Sequence, residues 1–586
     1  MSPFDVSSNS VISTSSLYPF SRKHYQNSKH RTPRHHRHVY KVACNADKNN
    51  PTPNLSSEGE QKPNDPLVGH RRDVLIGLAG AATLSNNPLA FAAPISPPDL
   101  SKCGPPNLPS GVKPTNCCPP YSGNTIIDFE FPSSSQPLKV RPAAHLVNDD
   151  YVAKYKRALA LMKALPSDDP RNFHQQADIH CAYCMGAYDQ VLPVGSPNRD
   201  LQIHNCWLFF PWHRWYLYFY ERILASLIDD PTFGLPFWNY DAPGGMQIPS
   251  IYADPKSPLY DPLRTAIHKP PTLIDLDYNL AEDPNASVPS NIAIMYRQVV
   301  ANAKTPKLFF GSAYRAGDKP DPGPGSVENV PHGSVHLWTG DIKQHNIENM
   351  GNFYSAARDP IFYSHHANVD RLWSIWKTLG GKRKDITDPD WLESGFLFYD
   401  ENKNLVRVKV KDSLDTTKLR YVNQEVDIPW KNKPTPRRSR VQKAATLETS
   451  SSVKFPLVLE SVVRANVKRP NKSRSKEEKE EKEEVLVIDG IEFDKNKAVK
   501  FDVFINDEED TQIRPDNTEF AGSFVSVPHS HKVKNNNIIT CLRLGLTDLL
   551  EDLEADDDDS VVVTLVPRFG KGLVTIEGIR IELIDD

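Results

Sequence analysis

The 586-residue chain carries 69 Lys+Arg against 73 Asp+Glu, a formal net charge of -4, which excludes the broad basic field of a nucleic-acid binder. No apolar run reaches the roughly 18 residues of a spanning helix, which excludes an integral membrane protein. At roughly 150 residues per domain the length suggests three or four domains, and 51 prolines against a usual share of about 5% point to long irregular connections.

Residues 1–46 hold one acid, Asp5, seven basic residues and many serines, the composition of an organelle transit peptide. Arg71-Arg72 then leads into the apolar stretch Val74–Leu84 and closes on Ala90-Phe91-Ala92, a second, export-type signal too short to remain as an anchor. Two tandem signals resemble a thylakoid-lumen presequence. The expected division is a plastid transit peptide over 1–70, a twin-arginine thylakoid-transfer signal over 71–92, and mature chain from about Ala93.

Eight cysteines occur. Cys103, Cys117 and Cys118 lie in a Pro/Gly-rich stretch with little capacity for a core, so disulfides are expected. Adjacent Cys117 and Cys118 seldom bond each other. Cys103 is the local candidate partner, and the Cys181-Ala182-Tyr183-Cys184 segment offers a remote one. A zinc finger is disfavoured, because no second pair completes four ligands.

From 141 to 380 the pattern is helical and aromatic. Tyr151–Leu165 has helical spacing and ends before Pro166. Trp212–Leu227 is apolar nearly all round and reads as a buried helix started by Pro211. Asp359–Thr378 opens with an N-cap Asp and a Pro. After 390 short alternating strands appear, such as Leu405–Val410. Residues 431–452 are basic and polar, an exposed linker open to proteolysis. Strands are then predicted over Phe455–Val467, Glu484–Ile488, Ala498–Ile505, Val561–Val566 and Leu573–Leu583. The charge runs Lys476–Glu484 and Asp556–Asp559 read as solvated loops.

Two histidine groups lie within the helical region: His180 with His204 and His213, then His332 and His336 with His365 and His366. His332 and His336, four apart, present two imidazoles on one helix face. His204 and His213, nine apart, would lie on opposite faces of one helix, so His204 approaches from the segment before Pro211. His365 and His366 differ by 100°, so one of them faces the metal. Imidazole suits Zn, Cu, Fe and Ni. Without carboxylates at bridging spacing, three neutral nitrogens on each of two metals suit a copper pair, and the aromatic surroundings would keep water out.

The segments HCAYC, HNCWLFFPWHRWYLYFYER, GNFYSAARDPIFYSHHANVDRLW, Asp390-Trp391-Leu392 and Lys500-Phe501-Asp502-Val503 resemble the plant polyphenol oxidases, the catechol oxidase and tyrosinase family with a type-3 copper centre. The resemblance runs from the presequence to the C-terminus. It implies two copper ions, the first held by His180, His204 and His213, the second by His332, His336 and His366, with His365 a neighbour. It implies a thioether from Cys184 to His204 and disulfides Cys103–Cys118 and Cys117–Cys181. Cys206 has no family role and reads as a small buried hydrophobe. Phe353 falls at the position of an aromatic gate over the second copper, and Glu328 at that of a carboxylate that orders a water and could serve as a base. Where many tyrosinase-like members have an Asn after the first ligand of the second copper, this chain has Gly333, and Leu337 follows the next ligand. Both weigh against strong monophenol hydroxylation.

The expected architecture is a mainly α catalytic domain over 93–430, in which a four-helix bundle holds the dicopper site, and a β-rich, sandwich-like shielding domain over 453–586. The expected activity is oxidation of o-diphenols to o-quinones with reduction of O2 to water, latent until the C-terminal domain is displaced. Its partners would be O2, small phenols and an activating protease, with the thylakoid lumen as its location. The alternatives are a tyrosinase that also hydroxylates monophenols, a dioxygen carrier, and a dinuclear zinc hydrolase.

Overall fold

The computed structural model describes residues 93–585, except 122, 279–286, 435–452, 508–513 and 533–536. The presequence expectations and most of the linker lie outside the described residues. Among those residues no helix is long and apolar enough to cross a membrane.

The first helix, α1 (Asp149–Ala164), is capped by Asn148, whose side chain accepts from the Tyr151 N–H, and it ends one residue before Leu165. α2 (Phe173–Cys184) carries His180 and Cys184. α3 (Phe209–Leu227) begins three residues earlier than the proline suggested. Pro211 sits inside its first turn, where a missing N–H breaks no intrahelical bond. Every residue from Phe209 to Glu221 is buried, so α3 is the central rod of the domain. Truncating one of its large aromatics to alanine would cost about 3–5 kcal/mol.

His332 lies in a wide helical turn, Glu328–Gly333, that is interrupted at Val330 and runs into α4 (Ser334–Thr339), which carries His336. The interruption lies before His332, and Gly333 and Ser334 keep helical angles, so His332 and His336 share one helix face as expected. α5 (Ile361–Thr378) starts two residues after Asp359, whose carboxylate accepts from the Ile361 N–H at 2.9 Å. Asp359 thus acts as the cap, and Arg264 pairs with it at 2.6 Å.

Buried charges tie the rods together. Asp370 on α5 accepts from Arg214 of α3 at 2.5 Å, from Arg141 at 3.0 Å and from Tyr421 at 2.7 Å. Arg141 also reaches Glu221 of α3 at 2.8 Å. Removing one partner from such a network costs about 3–5 kcal/mol, because the others stay buried and charged.

The C-terminal domain is a sandwich of two sheets. In one, strands Phe520–Ser526, Val499–Ile505, Ser560–Phe569 and Val463–Lys468 lie side by side, antiparallel throughout. In the other, the long strand Glu483–Asp494 pairs with Asn537–Gly545 and Gly578–Ile584. Leu486 and Ile488 of one sheet meet Phe501, Val503 and Val563 of the other in a shared core. The predicted strand Phe455–Val467 is two strands, Leu457–Val458 and Val463–Lys468. Part of the charge run at 476 is a helix, Lys476–Glu481, rather than a loop, because Ser475 and Glu478 form a reciprocal capping box.

Candidate metal centre

α2, α3, the wide turn with α4, and α5 converge on one point, while His204 enters from the segment between α2 and α3. α1 contributes no histidine. All of His180, His204, His213, His332, His336 and His366 are buried. His204 lies 5.1 Å, ring centre to ring centre, from both His180 and His213. His332 lies 4.6 Å from His336 and 5.0 Å from His366. The two trios meet where His213 and His366 stack in parallel at 4.1 Å. His365 lies beside the second trio, its ring 5.0 Å from that of His336, 5.3 Å from that of His332 and 5.6 Å from that of Tyr240, and its nitrogens lie near those of the trio.

The ring nitrogens divide into two kinds. Nδ1–H of His180, His213, His332 and His336 donates to the main-chain carbonyls of Phe353, Phe209, Glu328 and Met350, at 2.7–2.8 Å. Nε2 of His180, His204, His213 and His332 has no hydrogen-bond partner though buried, and Nε2 of His336 faces that of His366 at 3.4 Å. Buried polar atoms are seldom left without partners. A fixed Nδ1 donor with a bare Nε2 is the arrangement of a metal-ligating imidazole. Burial pushes all six well below the usual imidazole range, His180 to about 3 and His336 to about 4. Uncharged rings can crowd together and keep their lone pairs for a metal.

Cys184 Sγ lies 3.3 Å from His204 Nδ1, and Cys184 and Cys206 are free and buried. Cys103 is bonded to Cys118, and Cys117 to Cys181 at the end of α2. Phe353 stacks on His204, centroids 4.0 Å apart, and stands 5.9 Å from His336. It therefore covers the first trio rather than the second, because its main chain is tied to His180. Glu328 is buried, with one oxygen accepting from the Asn205 N–H at 2.5 Å and the other without a partner. Burial pushes its carboxyl well above the carboxylate range. Gly333 and Leu337 flank the second trio and bring no polar side chain to it.

The C-terminal domain closes this centre. Asn329, beside Glu328, accepts from the Val525 N–H at 2.8 Å and donates to the Ser523 carbonyl. Val525 and Val527 belong to the catalytic core. The Pro528 carbonyl accepts from the Phe353 N–H at 3.2 Å, and His529 packs on the Phe353 ring at 5.3 Å. None of Asn329, Val525 or His529 is marked in the sequence. The strand that carries Val525 went unpredicted because Phe520–Ser526 is buried throughout and shows no alternation.

Residues 170–379 match the common central domain of tyrosinase, 385–436 the polyphenol oxidase middle domain and 455–583 the chloroplastic polyphenol oxidase C-terminal domain. Polyphenol oxidase A1, chloroplastic, of Vicia faba is 60% identical over 100% of this chain and 98% of its own length. The chain belongs to the plant polyphenol oxidase family. Among solved structures, latent apple tyrosinase is 63% identical with a TM-score of 0.75, covering 79% of this chain and 100% of the apple chain. Grenache (Vitis vinifera) polyphenol oxidase is 60% identical with a TM-score of 0.56, covering 58% of this chain and 99% of that one. This polyphenol oxidase therefore combines a tyrosinase-type helical domain with a C-terminal β domain, and its two histidine trios are compatible with a dinuclear copper centre.

Proposed function

We propose that this chain oxidises o-diphenols to o-quinones, with O2 reduced to water, at two copper ions. His180, His204 and His213 would hold the first and His332, His336 and His366 the second. The carrying observation is the two trios of buried, uncharged imidazoles, four of them with Nδ1 held by a main-chain carbonyl and four with a bare Nε2. His366 is favoured over His365 because it lies between the trios, against His213. Copper bound there supplies dioxygen binding and electron transfer.

The protein supplies the rest. The aromatic shell excludes water, and Phe353 orients an incoming ring beside His204. Cys184 is close enough for a thioether to His204, which would lock that loop-borne ligand in place. The free oxygen of Glu328 favours a second activity, ortho-hydroxylation of monophenols, since it can order a water that takes the phenol proton. Gly333 and Leu337 offer that step no further polar help, so diphenol oxidation dominates.

Val525 to His529 cover the site, so the full-length chain is latent. Cleavage within 431–452, between a catalytic domain over 93–430 and a shielding domain over 453–586, would activate it. The tandem signals over 1–70 and 71–92 would deliver it to the thylakoid lumen. Relatives named chloroplastic support the first stage of that route.

The test is oxygen uptake by the copper-loaded chain, before and after cleavage at the linker, with an o-diphenol and its monophenol side by side. Rapid diphenol-dependent uptake appearing on cleavage supports the reading. Equal monophenol and diphenol rates would shift it to tyrosinase, and reversible O2 binding without turnover would overturn it.

A further inference from the structure

Beside the catalytic centre, where the two domains meet, three buried metal-ligating side chains face one another: Asp321 from the catalytic domain, and His529 and His531 from the C-terminal domain. His529 Nε2 lies 3.3 Å and His531 Nε2 2.5 Å from the two oxygens of the Asp321 carboxylate. His529 Nδ1 donates to the Val527 carbonyl at 2.8 Å. With Nδ1 so used, Nε2 is the nitrogen that faces the carboxylate, and Asn205 Nδ2 lies 3.5 Å from it. On the far side of His531, Nδ1 has no hydrogen-bond partner and stands 3.9 Å from Asp200 Oδ2.

We propose that Asp321, His529 and His531 form a zinc-class divalent-cation site that latches the C-terminal domain over the catalytic centre. Two imidazoles and one carboxylate are a zinc-type donor set, whereas Mg and Ca favour oxygen ligands alone. Donors around a tetrahedral zinc stand about 3.3 Å apart, given Zn–N and Zn–O bonds of about 2.0–2.2 Å. The His529–Asp321 pair already has that spacing, and His531 needs to draw back by less than about 1 Å. The outer contacts also fit, since Val527 fixes the His529 tautomer and Asp200 stands behind His531. Asp321 lines a cleft of about 730 Å3 that runs between the domains past Asp318 and Cys541, which gives an ion a way in. Asn205 donates to the same carboxylate at 3.0 Å, so the site adjoins the loop that carries His204. Because its ligands come from both domains, the site exists only while the C-terminal domain is docked. It does not depend on which phenol the enzyme oxidises.

The experiment uses the full-length chain with its copper already loaded. It is dialysed against micromolar Zn(II), and zinc and copper per chain are counted by elemental mass spectrometry. One zinc in addition to copper is expected, with the zinc lost in both Asp321→Asn and His531→Ala while copper is retained. A mild detergent can displace a docked domain without cleavage, and zinc should raise the detergent concentration needed for half-activation by severalfold. Since a variant could fail to fold, Co(II) is titrated into the unsubstituted chain. Visible d–d bands of a four- or five-coordinate ion, abolished by Zn(II), are expected. No added zinc, zinc retained in both variants, or only the weak bands of an octahedral surface ion would each overturn the proposal.

Discussion

A Cβ built on Gly333 would stand 3.1 Å from Val525 Cγ1. The glycine that follows His332 is thus part of the floor on which the C-terminal domain rests. A larger residue there and a docked domain compete for the same space.

Gly333→Asn in the full-length chain should therefore loosen the cover. Overpacking of this kind costs about 1–3 kcal/mol, so the detergent concentration for half-activation should fall several-fold. Val525→Ala combined with Gly333→Asn should restore latency. A Gly333→Asn chain as latent as the parent would refute the contact's role.

The thioether has a direct chemical readout. After full reduction and alkylation, the proteolytic peptide carrying Cys184 should stay joined to the one carrying His204, and Cys184→Ser should release them. Two separate peptides from the copper-loaded chain, with Cys184 alkylated, would exclude the link.

Glu328→Gln keeps the shape and the contact to Asn205 but removes the titrating carboxyl. In the cleaved enzyme, monophenol hydroxylation should drop by about 100- to 10,000-fold, the usual reach of a general base. Diphenol oxidation and copper content should change little. Equal loss with both substrates would assign Glu328 a purely structural part.

Burial, reinforced by the neighbouring Asp359 charge, raises Asp261 to about 7. The folded chain keeps a proton that the unfolded chain has released, so this contribution is fully present below about pH 4. It is lost as pH rises through about 7. The apparent Tm should decline over that interval, and Asp261→Asn should flatten the decline. An unchanged pH profile in that variant would show that other carboxyls govern it.

The histidine trios were legible because their information is local. His332 and His336 four apart, His180 and Cys184 four apart, and Asp359 before Pro360 each speak through helix geometry within a turn or two. Pro211 misled by a few residues, since a first helical turn tolerates proline wherever no N–H is needed. The charged run at 476 misled because the Ser475–Glu478 box outweighs the lack of anything to bury. What covers the centre was not legible. Asp321 lies in a Pro/Gly-rich loop, and its partner His529 is 208 residues away. Only the pairing of the strands brings them together, and no periodicity encodes that meeting. The gate at Phe353 was placed over the wrong trio for the same reason, since its position is set by long-range main-chain bonds.

Those bonds have one more effect. The N–H of Phe353 donates to Pro528 of the covering domain, and the carbonyl of the same residue receives the Nδ1–H of His180. The cover is thus wired through a single residue to the back of one imidazole of the first trio. When the domain leaves, the Phe353 N–H passes to water, and the carbonyl behind His180 loses its brace. The processed enzyme would then not be the latent enzyme with its door removed: one imidazole of the first trio would work from a softer mount. Maturation would therefore retune the metal pair as well as expose it.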